Sequence, residues 1–272
     1  MNDFLFLMAA PFVACLVLVG IHAYLGLHVL ARGVIFVDLS LAQIAALGST
    51  LAFLIGYDLH SGAAYVISLV ATFVGAGVFA LTRLRHARIP QEAIIGIIYA
   101  VSAAAGILAI DRAPHGAEHI KQMLVGSLLW VTWADIVKIA VLYTLIGFFH
   151  WVFRKRFLTI SFAEDEAIKK GWSIRGWDFL FYASFGFVIT SSVEVAGVLL
   201  VFSFLIVPTV CAALLSDQIG KRLIWGWGIG FGVSALGCAL SYWFDLPTGA
   251  AIVCLFGVTL CVVGLGKKLI SP

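Results

Sequence analysis

Apolar positions run along this chain in long unbroken blocks, with neither the stripe of a surface helix nor the alternation of a half-buried strand. About nine such blocks occur, near residues 5–30, 34–56, 62–82, 92–110, 134–153, 177–193, 195–215, 223–244 and 249–266. A helix of about 20 apolar residues spans a bilayer and satisfies its own backbone hydrogen bonds, so each block predicts a membrane-crossing helix. The expected fold is all-α: a polytopic transmembrane bundle of about eight or nine spans, with residues 1–272 forming one domain. The pair at 177–193 and 195–215 decides the count, because one span with a re-entrant piece there would give eight. A tight turn is expected between them near Ser191–Glu194. The first block lacks the positively charged start of a signal peptide and reads as a retained span.

Composition agrees with the pattern. Hydrophobic residues make up 62% of the chain and charged ones 11%, too few charges to cover a soluble protein of this size. The net charge of +3 carries no signal for nucleic acid, because the basic residues fall singly or in short clusters between blocks. The clusters are Arg32; Arg83, Arg85 and Arg88; Arg154–Arg156 with Lys169 and Lys170; Lys221 and Arg222; and Lys267 and Lys268. Retention of positive charge on the cytoplasmic side places all of them inside, with the N-terminus outside and the C-terminus inside. The largest cytoplasmic piece is then 157–175, where Glu164, Asp165, Glu166, Lys169 and Lys170 predict a short exposed helix. The apolar stretch 123–132 is too short to span and reads as interfacial or re-entrant.

Small residues dominate many spans. Gly96, Gly106, Gly186, Gly197, Gly226, Gly228, Gly230 and Gly232 predict close helix approaches. Pro208 removes a backbone donor and is expected to kink or interrupt its span. The five cysteines lie in apolar stretches and read as small core residues.

Asp38 is the sharpest polar anomaly. It falls inside the second span, where an ionisable side chain costs about 3 kcal/mol unless it faces the bundle interior or water. It either lines a polar pathway or pairs with Arg32 at the membrane surface. Gln43 follows five residues later, about 140° away on an ideal helix, so the two meet only across a local bulge. His115, Glu118 and His119 form a second cluster in an outer loop. Imidazole and carboxylate suit a divalent metal, although a solvated loop accounts for them equally well. His22 and His28 read as helix-packing residues, and His60 as an isolated loop histidine. No Gly-x-x-x-x-Gly-Lys-[Ser/Thr] loop is present, so nothing here cradles ATP phosphates in that way. His-Glu-x-x-His and Gly-x-Ser-x-Gly are also missing.

Four stretches in order resemble the zinc/manganese/iron permeases of ABC importers. Leu41-Ala-Gln-Ile-Ala-Ala-Leu-Gly48 resembles that family's Leu-x-His-x-x-x-x-Gly second span, and Gly96 to Gly106 keeps its glycine spacing. Gly197-Val-Leu-Leu-Val-Phe-Ser-Phe-Leu-Ile-Val-Pro208 is similar to its Gly…Leu-Leu-Ile-x-Pro signature, and Asp245-Leu-Pro-Thr-Gly249 to its last turn. The resemblance implies the membrane permease of an ATP-driven divalent metal importer in the cell inner (plasma) membrane. Zinc is the first expectation, with manganese and iron as the other candidates. It further implies a homodimer around a central pathway, separate cytoplasmic ATPase subunits and an extracytoplasmic metal-binding protein. No cofactor is held stably; the metal ion is cargo. The family's second-span histidine is Gln43 here, and its aspartate falls at Asp38, five residues earlier instead of four. The expected metal contacts are therefore Asp38, Gln43, His115, Glu118 and His119. The segment Leu214–Arg222 is the expected helix against the ATPase. Two other classes are a stand-alone secondary transporter or channel for a cation or small solute, and a membrane-embedded enzyme using the histidine loop.

Overall fold

The computed structural model describes residues 2–58, 61–83, 89–111 and 124–270. His60, Arg85, Arg88, His115, Glu118 and His119 lie outside the described residues. Helices account for nearly all of the rest, in the order α1 (Asn2–Arg32), α2 (Val37–Leu54), α3 (Gly62–Thr82), α4 (Gln91–Ile110), a short 3-10 turn (Leu128–Trp130), α5 (Trp133–Val152), α6 (Arg154–Phe162), α7 (Glu164–Lys169), α8 (Ile174–Leu215), α9 (Ile219–Phe244) and α10 (Thr248–Ile270). No strand occurs among the described residues. Eight of the helices are long and apolar enough to cross a membrane. The expected all-α bundle is what is found, and most span ends agree to within a few residues.

The disagreement lies in α8. Its 42 residues would reach about 63 Å as one rod, twice the hydrocarbon thickness. The helix is instead broken at Gly197, whose φ of 75° and ψ of 161° are not helical. The expected turn near Ser191–Glu194 is wrong: those residues are helical, and the break comes three residues later. Ser191 and Ser192 return their hydroxyls to carbonyls within their own helix, Phe187 and Val188, so they satisfy the backbone without ending the helix. Pro208 does not interrupt α8 either; the only non-helical residue inside it is Gly197.

The chain divides into two compact units. One contains residues 1–30, 124–147 and 194–272. In it, the stretch after Leu124 packs its backbone on the break in α8. A β-carbon added at Gly126 would overlap the backbone of Ala196 and Gly197, and one added at Gly197 would overlap that of Gly126. Both glycines have positive φ, 71° and 75°, so conformation and space each require the absence of a side chain. The short apolar stretch from Leu124 is thus packed on the α8 break at Gly126. Gly26 of α1 lies directly against Leu205 and Thr209 of α8, and Trp227 Nε1 of α9 donates to the Gly20 carbonyl at 3.0 Å. Asp245 ends α9 in the left-handed conformation, and Ser241 Oγ donates to the Leu246 carbonyl at 2.7 Å. The Asp-Leu-Pro-Thr-Gly stretch is accordingly the turn between α9 and α10, as expected.

The second unit contains residues 31–123 and 148–193. Its α2 and α3 cross where Gly48 leaves room: a β-carbon there would sit 2.8 Å from Cα of Ser68. Ser68 Oγ donates to the Ala45 carbonyl across the same crossing at 2.7 Å. Of the eight span glycines expected to mark close approaches, Gly186, Gly197, Gly226 and Gly230 do so, whereas Gly96, Gly106, Gly228 and Gly232 face open space. Cys15, Cys211 and Cys238 are buried as expected, but Cys254 and Cys261 are exposed on α10.

Candidate functional site

Asp38 sits in the first turn of α2 with 1% of its surface exposed, and neither carboxylate oxygen has a hydrogen-bond partner. Ser40 Oγ, two residues on, is likewise buried without a partner. Gln43 is buried too, 6% exposed. Helix α2 runs unbroken from Val37 to Leu54. No bulge therefore brings Asp38 and Gln43 together; they remain about 140° apart around the helix. Most of the N-terminal half of α2 is enclosed, with Val37, Leu41, Ala42, Ile44 and Ala45 also buried. Among the described residues, no three His, Cys, Asp or Glu side chains are close enough together to share a metal ion.

What holds the start of α2 comes from elsewhere in the fold. Gly33, with φ of 66°, ends α1 in the left-handed conformation that terminates helices without a β-carbon penalty. Phe36, at the cap of α2, supplies no side-chain cap of its own. Its backbone N–H donates instead to Glu92 Oε1 of α4 at 2.9 Å, so a carboxylate sits at the positive end of the helix. Residues 33–36 thus form a short link directly before Asp38, and Glu92 accepts from its backbone at both Ile35 and Phe36.

Arg32 does not pair with Asp38. Its Nη1 donates to Asp178 Oδ1 at 2.6 Å and its Nε to Ser161 Oγ at 2.9 Å, while the guanidinium lies 4.1 Å from the Phe181 ring centre. Arg83 Nη1 reaches both oxygens of Asp178 at 2.7 and 2.8 Å, and its Nη2 reaches Glu164 Oε2 of α7 at 2.8 Å. Burial works against the charge on Arg83, but Asp178 and Glu164 outweigh it and hold its pKa above the usual value. The network joins the ends of α1 and α3 to α6, α7 and the start of α8. Arg32, Arg83 and the α6–α7 segment therefore lie at one end of this unit, as the shared-side reading of the basic clusters requires. Asp178 escaped sequence reasoning because it stands at the edge of its span, where one acidic residue looks ordinary.

His150 is buried, with Nε2 2.8 Å from Ser184 Oγ and its ring stacked on Phe157 at 4.2 Å. His22 Nδ1 lies 2.7 Å from the Leu18 carbonyl of its own helix, and its ring meets Tyr143 edge to face. Both are packing residues. Leu214–Arg222 is not a helix of its own: α8 ends at Leu215, α9 begins at Ile219, and the turn between them is fastened by Arg222 Nε donating to the Ser216 carbonyl at 2.7 Å.

Comparison with known proteins now places this architecture. Residues 4–266 match the model of the ABC 3 transport family. The chain belongs to the ABC 3 transport family. It is a multi-pass membrane protein of a transport system, and the resemblance read from its four motifs holds. A chelated iron transport system membrane protein of Yersinia pestis is 26% identical over 237 residues, covering 87% of this chain and 78% of the relative. A manganese transport system membrane protein of Listeria innocua is 26% identical over 238 residues, covering 87% and 82%. The fold matches a solved chain of PsaBC from Streptococcus pneumoniae, in complex with Fab, with a TM-score of 0.79 at 20% identity, over 96% of this chain and 94% of that one. The bundle is thus a known ABC-transporter membrane fold.

Proposed function

We propose that this chain is the membrane permease of an ATP-driven importer of a divalent metal ion, working as a homodimer with separate ATPase subunits in the cell inner membrane. Asp38 carries the reading. A carboxylate sealed inside a membrane helix with neither oxygen satisfied is costly, and it is tolerated where a cation neutralises it during function. In the structure Asp38 is closed off, so the reading requires α2 to open toward water in another state of the cycle. The short 33–36 link, with Gly33 at positive φ, is the proposed hinge for such a movement.

The donor chemistry bears on the metal. Asp38 offers a carboxylate oxygen, a hard donor that suits manganese well, whereas Ser40, two residues on, falls about 200° away around α2. The relatives named above are described as transporting iron and manganese. Manganese or ferrous iron is therefore our reading, in place of the zinc expected from sequence. Because Asp38 and Gln43 face apart on α2, a single ion passes Asp38 without contacting Gln43. His115, Glu118 and His119 stay as proposed outer contacts, as does an extracytoplasmic binding protein that presents the ion. The Ser216–Gln218 turn is the proposed ATPase contact, with the Asp217 side chain fully exposed.

The test is metal accumulation in cells expressing this chain with its ATPase, supplied with manganese, ferrous iron or zinc in turn. The reading predicts uptake of manganese or iron that stops when the ATPase is catalytically dead. Uptake by this chain alone, without the ATPase, would establish the secondary-transporter alternative instead.

A further inference from the structure

A second surface of this chain has a chemistry that metal transport does not use. Helix α6 begins two residues after α5 ends, and its first three residues, Arg154, Lys155 and Arg156, are all exposed. From 154 to 175 the chain carries six basic residues and three acidic ones. Glu164 pairs with Arg83 and Glu166 with Lys170. The surface is therefore positive on balance. Aromatic rings hold the cations in place. The Arg154 guanidinium lies 5.1 Å from the Trp151 ring centre, and that of Arg156 lies 4.7 Å from Trp177 and 5.8 Å from Trp172.

The platform under them is fixed. Phe157, Ile160 and Ser161, three and four residues apart, form the buried face of α6. Ser161 is bonded by Arg32, and Phe157 is stacked on His150. Beside the cations, at the end of α5, Phe148 and Trp151 are 61 and 60% exposed. The end of a membrane-spanning helix that closes in exposed aromatic rings and then in three cations presents two chemistries in sequence, one for an acyl chain and one for a negatively charged head group.

We propose that the Trp151–Arg156 corner is a binding site for an anionic phospholipid. Its phosphate lies among Arg154, Lys155 and Arg156, and an acyl chain lies against Phe148 and Trp151. Charge complementarity and the place of Phe148 and Trp151 at the end of a membrane-crossing helix favour this occupant over a soluble protein. Bound lipid would hold α6 against the membrane surface, and through Glu164 and Ser161 would support the Arg83–Asp178–Arg32 network.

The experiment is native mass spectrometry of the purified full chain, titrated with phosphatidylglycerol or with phosphatidylcholine of the same acyl composition. Preferential retention of phosphatidylglycerol is expected, falling about fivefold for each of Arg154→Gln and Lys155→Gln and to no preference in the triple variant with Arg156→Gln. Lys221→Gln/Arg222→Gln should leave the preference intact. The two single variants alter exposed side chains and serve if the triple variant does not fold. Equal retention of the two lipids, or a preference that survives Arg154→Gln and Lys155→Gln, would overturn the proposal. So would full displacement by inorganic phosphate, which would mark a soluble-anion site, or loss of the preference when the ATPase binds.

Discussion

Arg32 and Asp178 stand 146 residues apart and meet at 2.6 Å, with side chains 1% and 0% exposed. The same carboxylate holds Arg83 on its other edge. A buried ion pair contributes little net stability against its desolvation, but removing one member strands the other. Asp178→Ala strands buried Arg32 without a counter-charge and leaves Arg83 only Glu164. The expected loss is about 3–5 kcal/mol, read as a lowered melting temperature and reduced membrane yield. Glu164→Gln, on the half-exposed outer arm of the network, should cost no more than about 1 kcal/mol in the same assay.

Gly197 and Gly106 are both span glycines, and the structure separates them. At Gly197 an added methyl group meets the backbone of Gly126 and requires a positive φ, so Gly197→Ala should destabilise by at least about 1–2 kcal/mol. At Gly106 nothing lies within 4 Å of the same position, and alanine is the better helix former. Gly106→Ala is therefore expected to leave the melting temperature unchanged or raise it slightly. Equal effects would mean that the close approach at Gly126 does not support the fold.

Glu92 reaches across to cap α2 before Asp38. Glu92→Gln keeps a hydrogen-bond acceptor but removes the charge at the helix end, for an expected cost of about 0.5–1 kcal/mol. If the 33–36 link is where α2 moves, the variant should change the rate of metal uptake more than it changes the melting temperature. Unchanged transport with lowered stability would reduce Glu92 to a structural cap.

The fold was legible because hydropathy alone determines where a chain can cross a bilayer, and loop charge determines which ends group together. Most span boundaries follow from that. The break in α8 was placed three residues early because Thr190-Ser-Ser-Val-Glu194 reads as polar, whereas its two serines bond back into their own helix. Gly197 is the real breaker, and what identifies it is Gly126, over 70 residues away in sequence. Asp38 was legible as a charge inside a span. Its surroundings were not: Arg32, near it in sequence, is taken by Asp178, and only tertiary packing reveals that. Gln43 could be placed on a different face from Asp38 by counting residues, and the unbroken helix keeps it there.

The central claim is that a metal ion passes Asp38. The most direct measurement is ATP-driven uptake of manganese and of ferrous iron by the reconstituted permease–ATPase complex, comparing the native chain with Asp38→Asn. The substitution keeps the shape and removes a buried unpaired charge, so the melting temperature should hold or rise. Uptake should fall at least about tenfold, the loss of roughly 1.4 kcal/mol of ion stabilisation. Undiminished uptake by a folded Asp38→Asn complex would contradict the account.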